Sequence, residues 1–151
     1  MNKEIERKFL VSSDDWRKDI SESFRIQQCY LSENCDCMER VRIIGESGFL
    51  TIKSKTDTFA LHEFEYRIPL EDAKFLFEKV FTGGKIDKIR HIVNFCGERW
   101  EIDEFAGKLK GLVVAEIELA SETAEFQRPG WLGKEVTGDP AYSNFALSLK
   151  K

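Results

Sequence analysis

No stretch of this sequence approaches the roughly 20 consecutive apolar residues that cross a bilayer, and the opening MNKE is charged where a secretory leader would be apolar. No membrane partner is expected, and the expected compartment is the cytoplasm, which keeps thiols reduced. Cysteine is scarce: Cys29, Cys35, Cys37 and Cys96. Cys35-Asp36-Cys37 is not a zinc-site spacing, and the two histidines, His62 and His91, lie far from it in sequence. The thiols are therefore read as structural or neutral rather than metal-binding or redox-active. A basic excess is missing too. Lys and Arg number 23 against 27 Asp and Glu, a net charge of −4, which argues against a general nucleic-acid binder but leaves room for a local basic pocket. No linker, repeat or low-complexity segment interrupts the 151 residues, so residues 1–151 are read as a single domain large enough for its own core.

What is abundant is charge in regular places. Charged residues make up 33% of the chain, above the usual quarter or so; 42% hydrophobic residues and twelve Phe support a folded globule. In MNKEIERKFLV, Glu4, Glu6 and Lys8 alternate with Ile5, Arg7 and Phe9, and in a strand such residues share one face. The pattern returns in MERVRI, LTIKSK, EFEYRI, KIRHIV, RWEIDEF and VAEIEL. Strands are expected at 3–11, 24–32, 37–45, 49–56, 60–68, 85–96, 99–105 and 112–120, joined by turns such as Glu33-Asn34 and Gly97-Glu98. Helices are expected at 12–22, behind a Ser12-Ser13-Asp14 cap, and at 70–83, where Leu70, Ala73, Leu76, Phe77 and Val80 recur at helical spacing between Pro69 and Gly83-Gly84. A helical stretch near 122–127 and a last helix after Pro140 complete the reading. Hairpin-length connections make the pairing antiparallel. The expected class is α+β, mostly antiparallel β: eight strands closed into a barrel, which removes exposed edges, with accessory helices. An open α+β sheet is the alternative.

Two faces compete for the interior. Taken one strand at a time, Phe9, Val41, Ile43, Trp100, Ile102, Ala115 and Ile117 belong in the core and the charges in water. Taken together, the charges come in like-signed blocks: Glu4/Glu6, Glu101/Asp103 and Glu116/Glu118 against Arg40/Arg42, Lys53/Lys55 and Lys88/Arg90. Like charges side by side are unfavourable unless something neutralises them. Divalent cations would neutralise the acids, whose hard oxygen donors suit Mg²⁺ or Mn²⁺. A polyanion would neutralise the bases, Arg through bidentate forks and Lys as point charge. A charged interior of this kind suits a metal-bound polyphosphate. Its apolar outer face would be covered by the helices at 12–22 and 70–83 and, in a homodimer, by a second subunit.

The ordered set of motifs resembles a known family. Glu4-Ile5-Glu6-Arg7-Lys8 is similar to the ExExK signature of the CYTH superfamily, the triphosphate tunnel metalloenzymes. The likeness continues in family order through Arg40-Val41-Arg42, Lys53, Glu63-Phe64-Glu65, Lys88-Ile89-Arg90, Glu101-Ile102-Asp103, Glu116-Ile117-Glu118 and Trp131-Leu132-Gly133-Lys134-Glu135-Val136-Thr137, nearly the whole chain. ExExK alone is weak in any Glu/Lys-rich protein; the ordered set is specific. The resemblance implies an eight-stranded antiparallel β-tunnel with a charged lumen that binds a triphosphate with divalent metal. Members include inorganic triphosphatases, thiamine triphosphatases, class IV adenylate cyclases and RNA triphosphatases. Carried over position by position, Glu4, Glu6, Asp103, Glu116 and Glu118 match the metal-binding acids. Lys8, Arg40, Arg42, Lys53, Arg90 and Lys134 match the triphosphate-binding bases.

The expected chemistry is hydrolysis of the terminal phosphoanhydride bond of a small-molecule triphosphate, most simply inorganic tripolyphosphate, with one or two Mg²⁺ or Mn²⁺ ions. Lys88 is the candidate water activator, if neighbouring cations lower its pKa, and Tyr30 its hydrogen-bonding partner. The plainer readings are one more phosphate-binding cation and a core aromatic. Glu63 and Glu65 either ligate metal or hold neighbouring bases in place. Trp16, Trp100 and Trp131 could stack on an organic group but read more simply as core residues. Alternatives to an inorganic triphosphatase are a thiamine triphosphatase, a class IV-type adenylate cyclase, and a non-catalytic, metal-dependent polyphosphate or nucleotide-binding module.

Overall fold

The computed structural model describes residues 4–31, 37–55, 61–81 and 83–151; the Glu33-Asn34 turn and Cys35 lie outside the described residues. In chain order the strands are β1 (Glu6–Val11), β2 (Ile20–Tyr30), β3 (Cys37–Ile44), β4 (Ser47–Lys55), β5 (Leu61–Ile68), β6 (Lys85–Phe95), β7 (Glu98–Phe105), β8 (Val113–Glu118) and β9 (Leu132–Glu135). Two short α-helices, α1 (Leu70–Phe75) and α2 (Asn144–Ser148), accompany them. The sheet is antiparallel, as hairpin-length connections require. It has nine strands rather than eight, and no hydrogen-bonded pairing among the described residues closes it. Its outermost strands manage their edges in other ways: β9 is only four residues long, and β5 carries Glu63, Glu65 and Arg67.

The chain divides into two compact units. The first comprises Arg25–Asp87 and Ser143–Lys151, with strands in the order β5-β4-β3-β2. Cys29, Val41, Ile43 and Ala73 are buried together, with Leu70, Leu76, Phe77 and Phe81 packed against them. Helix α1 comes so close to the sheet that a Cβ on Gly48 would lie 2.6 Å from that of Ala73. The helix expected at 70–83 stops at Phe75 and continues as a single wider π turn, Leu76–Val80. Phe64 and Tyr66 remain 47% and 56% exposed on β5, so the apolar face of this unit is only partly covered.

The second unit comprises Glu4–Phe24 and Lys88–Tyr142, with strands in the order β6-β7-β8-β1-β9. Phe9, Val93, Trp100, Ile102, Ala115 and Ile117 form its core with Trp16 and Trp131. Trp100 meets Phe9, Phe126 and Trp131 edge to face, with centroids 5.9, 5.7 and 5.4 Å apart, the geometry that aromatic quadrupoles favour. The helix expected at 12–22 is only a 3₁₀ turn at Asp15–Asp19, which buries Trp16. Beyond it Ile20, Phe24 and Ile26 fall at even spacing and extend β2 backwards to Ile20. The stretch 122–127 is not helical either; Ala124 and Phe126, two residues apart, turn inwards together. No helix among the described residues is long and apolar enough to cross a membrane.

The competition between faces resolves in favour of both. The apolar side of the second unit buries Phe9, Trp100, Ile102 and Ala115 completely, yet on the charged side Lys88 and Asp103 are 0% and 1% exposed. Strands shielded on both sides bury their charges only in exchange for specific partners.

Candidate functional site

Alternation and register build the charged face of the second unit. Period two puts Glu6 and Lys8, Lys88 and Arg90, Glu101 and Asp103, and Glu116 and Glu118 on one side of their strands. Register then fixes neighbours: Glu6 stands opposite Glu118, Lys8 opposite Glu116, Glu116 opposite Glu101, and Arg90 opposite Asp103. Asp103 is saturated with donors. Lys88 Nζ lies 2.6 Å from its Oδ2, Arg90 Nε 2.8 Å from Oδ1 and Arg90 Nη2 2.8 Å from Oδ2. Burial alone would push this carboxyl up, but Lys88 and Arg90 outweigh it and hold Asp103 well below the usual carboxylate range. Burial likewise works against the Arg90 guanidinium, and Asp103 overrides it, so Arg90 is raised. Arg90 Nη1 also pairs with Glu101 at 2.6 Å.

Around Glu6 the balance is reversed. The Glu6 side chain is exposed, yet desolvation by its strand neighbours and then Glu116 push its carboxyl up to about 7, and Lys8 offsets them only in part. Lys8 Nζ is 3.5 Å from Glu116 Oε1 and donates to the Tyr142 carbonyl at 3.1 Å. The backbone around Lys8 is tied to the C-terminal segment: its N–H donates to Thr137 Oγ1 at 2.9 Å, and Val136 N–H donates to its carbonyl at 2.8 Å. On β9, Glu135 takes the Arg7 guanidinium, and its neighbour Lys134, at an irregularity in the pairing of β9 with β1, is exposed.

The first unit carries its own charged rows. Tyr30, Arg40, Thr51 and Glu65 stand in register across β2, β3, β4 and β5, and Lys53 stands opposite Glu63. Arg40 Nη2 donates to Thr51 Oγ1 at 3.3 Å, and that hydroxyl donates to Glu65 at 3.1 Å. Glu63 sits 3.7 Å from Arg40 and 3.5 Å from Lys53. Glu63 and Glu65 therefore sit as counterions to these bases. Arg42 Nε donates to Gln28 Oε1 at 3.0 Å, and Gln28 Nε2 donates to the Tyr30 hydroxyl at 3.0 Å. Burial raises the Tyr30 hydroxyl above its ordinary pKa, with Arg40 and Arg42 pulling the other way.

Residues 2–143, spanning both units, match the family model of the CYTH domain. The chain belongs to the CYTH family. It is 42% identical over 147 residues to an inorganic triphosphatase of Acetivibrio thermocellus, covering 97% of this chain and 94% of that one. An inorganic triphosphatase of Nitrosomonas europaea is 36% identical over 151 residues, with 97% of each chain covered. The crystal structure of an inorganic triphosphatase superposes with a TM-score of 0.77 at 33% identity, covering 100% of this chain and 97% of that one.

Whether the residues of this CYTH chain suit a divalent cation can be read from the donors. Among the described residues no three His, Cys, Asp or Glu side chains converge into a ready-made cage. The chemistry fits nonetheless. Two pairs of carboxylates face one another in register, and Glu6 holds a proton up to about pH 7, a place a hard cation on carboxylate oxygens would take. Asp103, grouped with the metal-binding acids by resemblance, instead has both oxygens committed to Lys88 and Arg90. Trp16, Trp100 and Trp131 are core residues, not rings presented for stacking. Cys29 and Cys96 are free thiols, and burial pushes Cys29 up to about 11, in keeping with a neutral role.

Residues not read as functional from the CYTH sequence are Gln28, Thr51, Thr137 and Tyr142. Gln28 carried a usable signal, since it lies two residues from Tyr30 on one strand face. The Tyr142 carbonyl carried none, because its meaning depends on a C-terminal segment returning to β1; Thr137 closes the last of the family motifs but has no role of its own there.

Proposed function

We propose that this chain is a divalent-metal-dependent inorganic triphosphatase that hydrolyses the terminal phosphoanhydride bond of tripolyphosphate to pyrophosphate and phosphate. The observation that carries the reading is the pair of carboxylate oppositions, Glu6 with Glu118 and Glu116 with Glu101, beside buried cations that are already fixed in direction. The names of the relatives in Acetivibrio thermocellus and Nitrosomonas europaea support the same substrate.

Glu4, Glu6, Glu116 and Glu118 are assigned as the acids that hold one or two Mg²⁺ or Mn²⁺ ions. When bound, such an ion polarises phosphate oxygens and neutralises charge on the substrate. The chain's own residues do the rest. Lys8, Arg90 and Lys134, with Arg40, Arg42 and Lys53, bind phosphate oxygens and stabilise the negative charge that develops on them. Asp103 is assigned to holding Lys88 and Arg90 in place rather than to metal. Water attacks the terminal phosphorus, the bond to the bridging oxygen breaks, and the water proton must leave. That proton passes to a phosphate oxygen of the departing pyrophosphate; Lys88, ion-paired to Asp103 at 2.6 Å, and the Tyr30 hydroxyl are each assigned to donating a hydrogen bond to oxygens of the reacting phosphate rather than to taking the proton.

Phosphate release from tripolyphosphate with Mg²⁺ or Mn²⁺, compared among wild type, Glu6→Ala and Arg40→Ala, tests the proposal. Release by wild type and large losses in both variants are expected; equal rates in all three would sink it. ATP and thiamine triphosphate are expected to be poorer substrates, because the three tryptophans are in the core and leave no indole ring to stack on an organic group. Formation of cyclic AMP from ATP would indicate a cyclase instead. Sedimentation of the purified protein tests the homodimer, for which Phe64 and Tyr66 offer an exposed apolar strand face.

A further inference from the structure

We infer that Gln28 is a positioning residue that aims the Tyr30 hydroxyl and the Arg42 guanidinium together, offering its amide N–H to one and its amide oxygen to the other. Its consequence for catalysis rests on the triphosphatase reading; its geometry does not. Gln28 is 0% exposed. It shares a face of β2 with Tyr30, and stands opposite Arg42 while Tyr30 stands opposite Arg40. Both contacts are 3.0 Å, from Gln28 Nε2 to the Tyr30 oxygen and from Arg42 Nε to Gln28 Oε1.

The direction of these bonds follows from donor chemistry. The two ends of an amide are nearly alike in shape, but a guanidinium Nε–H can only donate, so the atom facing Arg42 is the oxygen. That leaves the amide N–H for Tyr30, whose oxygen therefore accepts. Arg40 stands opposite Tyr30 and its charge bears on the Tyr30 hydroxyl, and a guanidinium has no lone pair with which to accept that proton. The single phenolic proton must then point away from both, so Tyr30 is set to donate to a third group. On the proposed reaction that group is a phosphate oxygen or the attacking water. Tying Arg42 at Nε fixes the plane of its fork before substrate arrives, which saves the ordering cost at binding. Leu or Met would pack a buried strand position as well as Gln does, so the amide is needed for its two hydrogen bonds.

The test uses the full chain with ¹³Cζ-labelled tyrosine. The protein has three Tyr, and Tyr30→Phe identifies the Tyr30 signal by its loss. Gln28→Leu and Gln28→Met are expected to move the Tyr30 signal alone. Gln28→Glu should move it further, since a carboxylate can only accept and draws the hydroxyl proton onto itself. With tripolyphosphate, Gln28→Leu should lower kcat/KM roughly ten- to a hundredfold, the range for losing a hydrogen bond to a charged group. In a Tyr30→Phe background its kcat loss should vanish while the KM rise, carried by Arg42, remains. If Gln28→Leu does not fold, Gln28→Met, close in volume, gives the same readouts. An unmoved Tyr30 signal in a folded variant, or a kcat loss undiminished by Tyr30→Phe, would overturn the inference. Wild type that releases no phosphate overturns the triphosphatase reading instead, and the tyrosine signal then decides the role of Gln28 alone.

Discussion

Glu6 stands directly opposite Glu118 where β1 pairs with β8. On the adjoining pair of strands Glu116 faces Glu101. Like charges in this relation destabilise a sheet. In each row the nearest cations are already in use: Lys8 at Glu116, Arg90 at Glu101 and Asp103. The second unit is therefore short of positive charge where its acids are densest, and a divalent ion supplies what the protein does not.

A pH-dependent stability follows. The Glu6 carboxyl lies at about 7 in the fold against an ordinary value of 4.5. A group raised on folding stabilises fully below its unfolded pKa and loses that contribution as pH climbs through the folded value. The metal-free protein should therefore melt at lower temperature at pH 8 than at pH 5, and Glu6→Gln should flatten that fall. Mg²⁺ or Mn²⁺ should raise the melting temperature more at pH 8 than at pH 5, because the cation then has no proton to displace. A decline equally steep in Glu6→Gln would place the cause elsewhere.

Asp103 makes the opposite case. Its carboxylate neutralises Lys88 and Arg90, both oxygens engaged within 2.8 Å. Asp103→Ala removes the carboxylate that Lys88 and Arg90 share and should cost about 3–5 kcal/mol in urea unfolding. Pairing Asp103→Leu with Lys88→Met should recover part of that loss, since the fully buried charge goes too. Full additivity of the two changes would contradict the pairing.

The charged faces were legible in the sequence because a period of two is a local property. Glu4-Ile5-Glu6-Arg7-Lys8 declares its face without reference to any other strand. Register is not local. That Glu6 meets Glu118 while Arg90 meets Asp103 depends on where each hairpin turns, and it changes the meaning of Asp103 from one acid among several to the counterion of two bases. The helix read at 12–22 failed for a physical reason: only Trp16 needed burying there, and one 3₁₀ turn suffices. β9 was hidden because Gly133 reads as a breaker until Leu10 is seen beside it. Whether the apolar or the charged face lay inside was a false choice, as Trp100 and Asp103, on opposite sides of β7, are both buried.

Arg40 should not tolerate Lys. Its guanidinium reaches Thr51 Oγ1 at 3.3 Å and lies 3.7 and 3.8 Å from Glu63 and Glu65, a spread that a planar fork can meet and a single ammonium cannot. Arg40→Lys is expected to raise KM for tripolyphosphate by roughly tenfold, about the worth of one charge-assisted hydrogen bond, with little change in melting temperature. An unchanged KM would remove Arg40 from the phosphate-binding set.

Gly133 and Lys134 separate the holding of a strand from the work of its side chain. A Cβ on Gly133 would lie 3.0 Å from the Leu10 carbonyl oxygen, closer than the backbones of β9 and β1 allow without moving apart. Gly133→Ala should therefore destabilise by about 1–3 kcal/mol and shift Lys134 with the strand. Lys134→Ala removes only an exposed side chain and should leave stability within about 0.5 kcal/mol of wild type. If Lys134 binds phosphate, both variants raise KM for tripolyphosphate, but only Gly133→Ala lowers the melting temperature. A raised KM in Gly133→Ala with none in Lys134→Ala would mean that β9 acts through Lys8, whose backbone it holds at Val136 and Thr137, and not through Lys134.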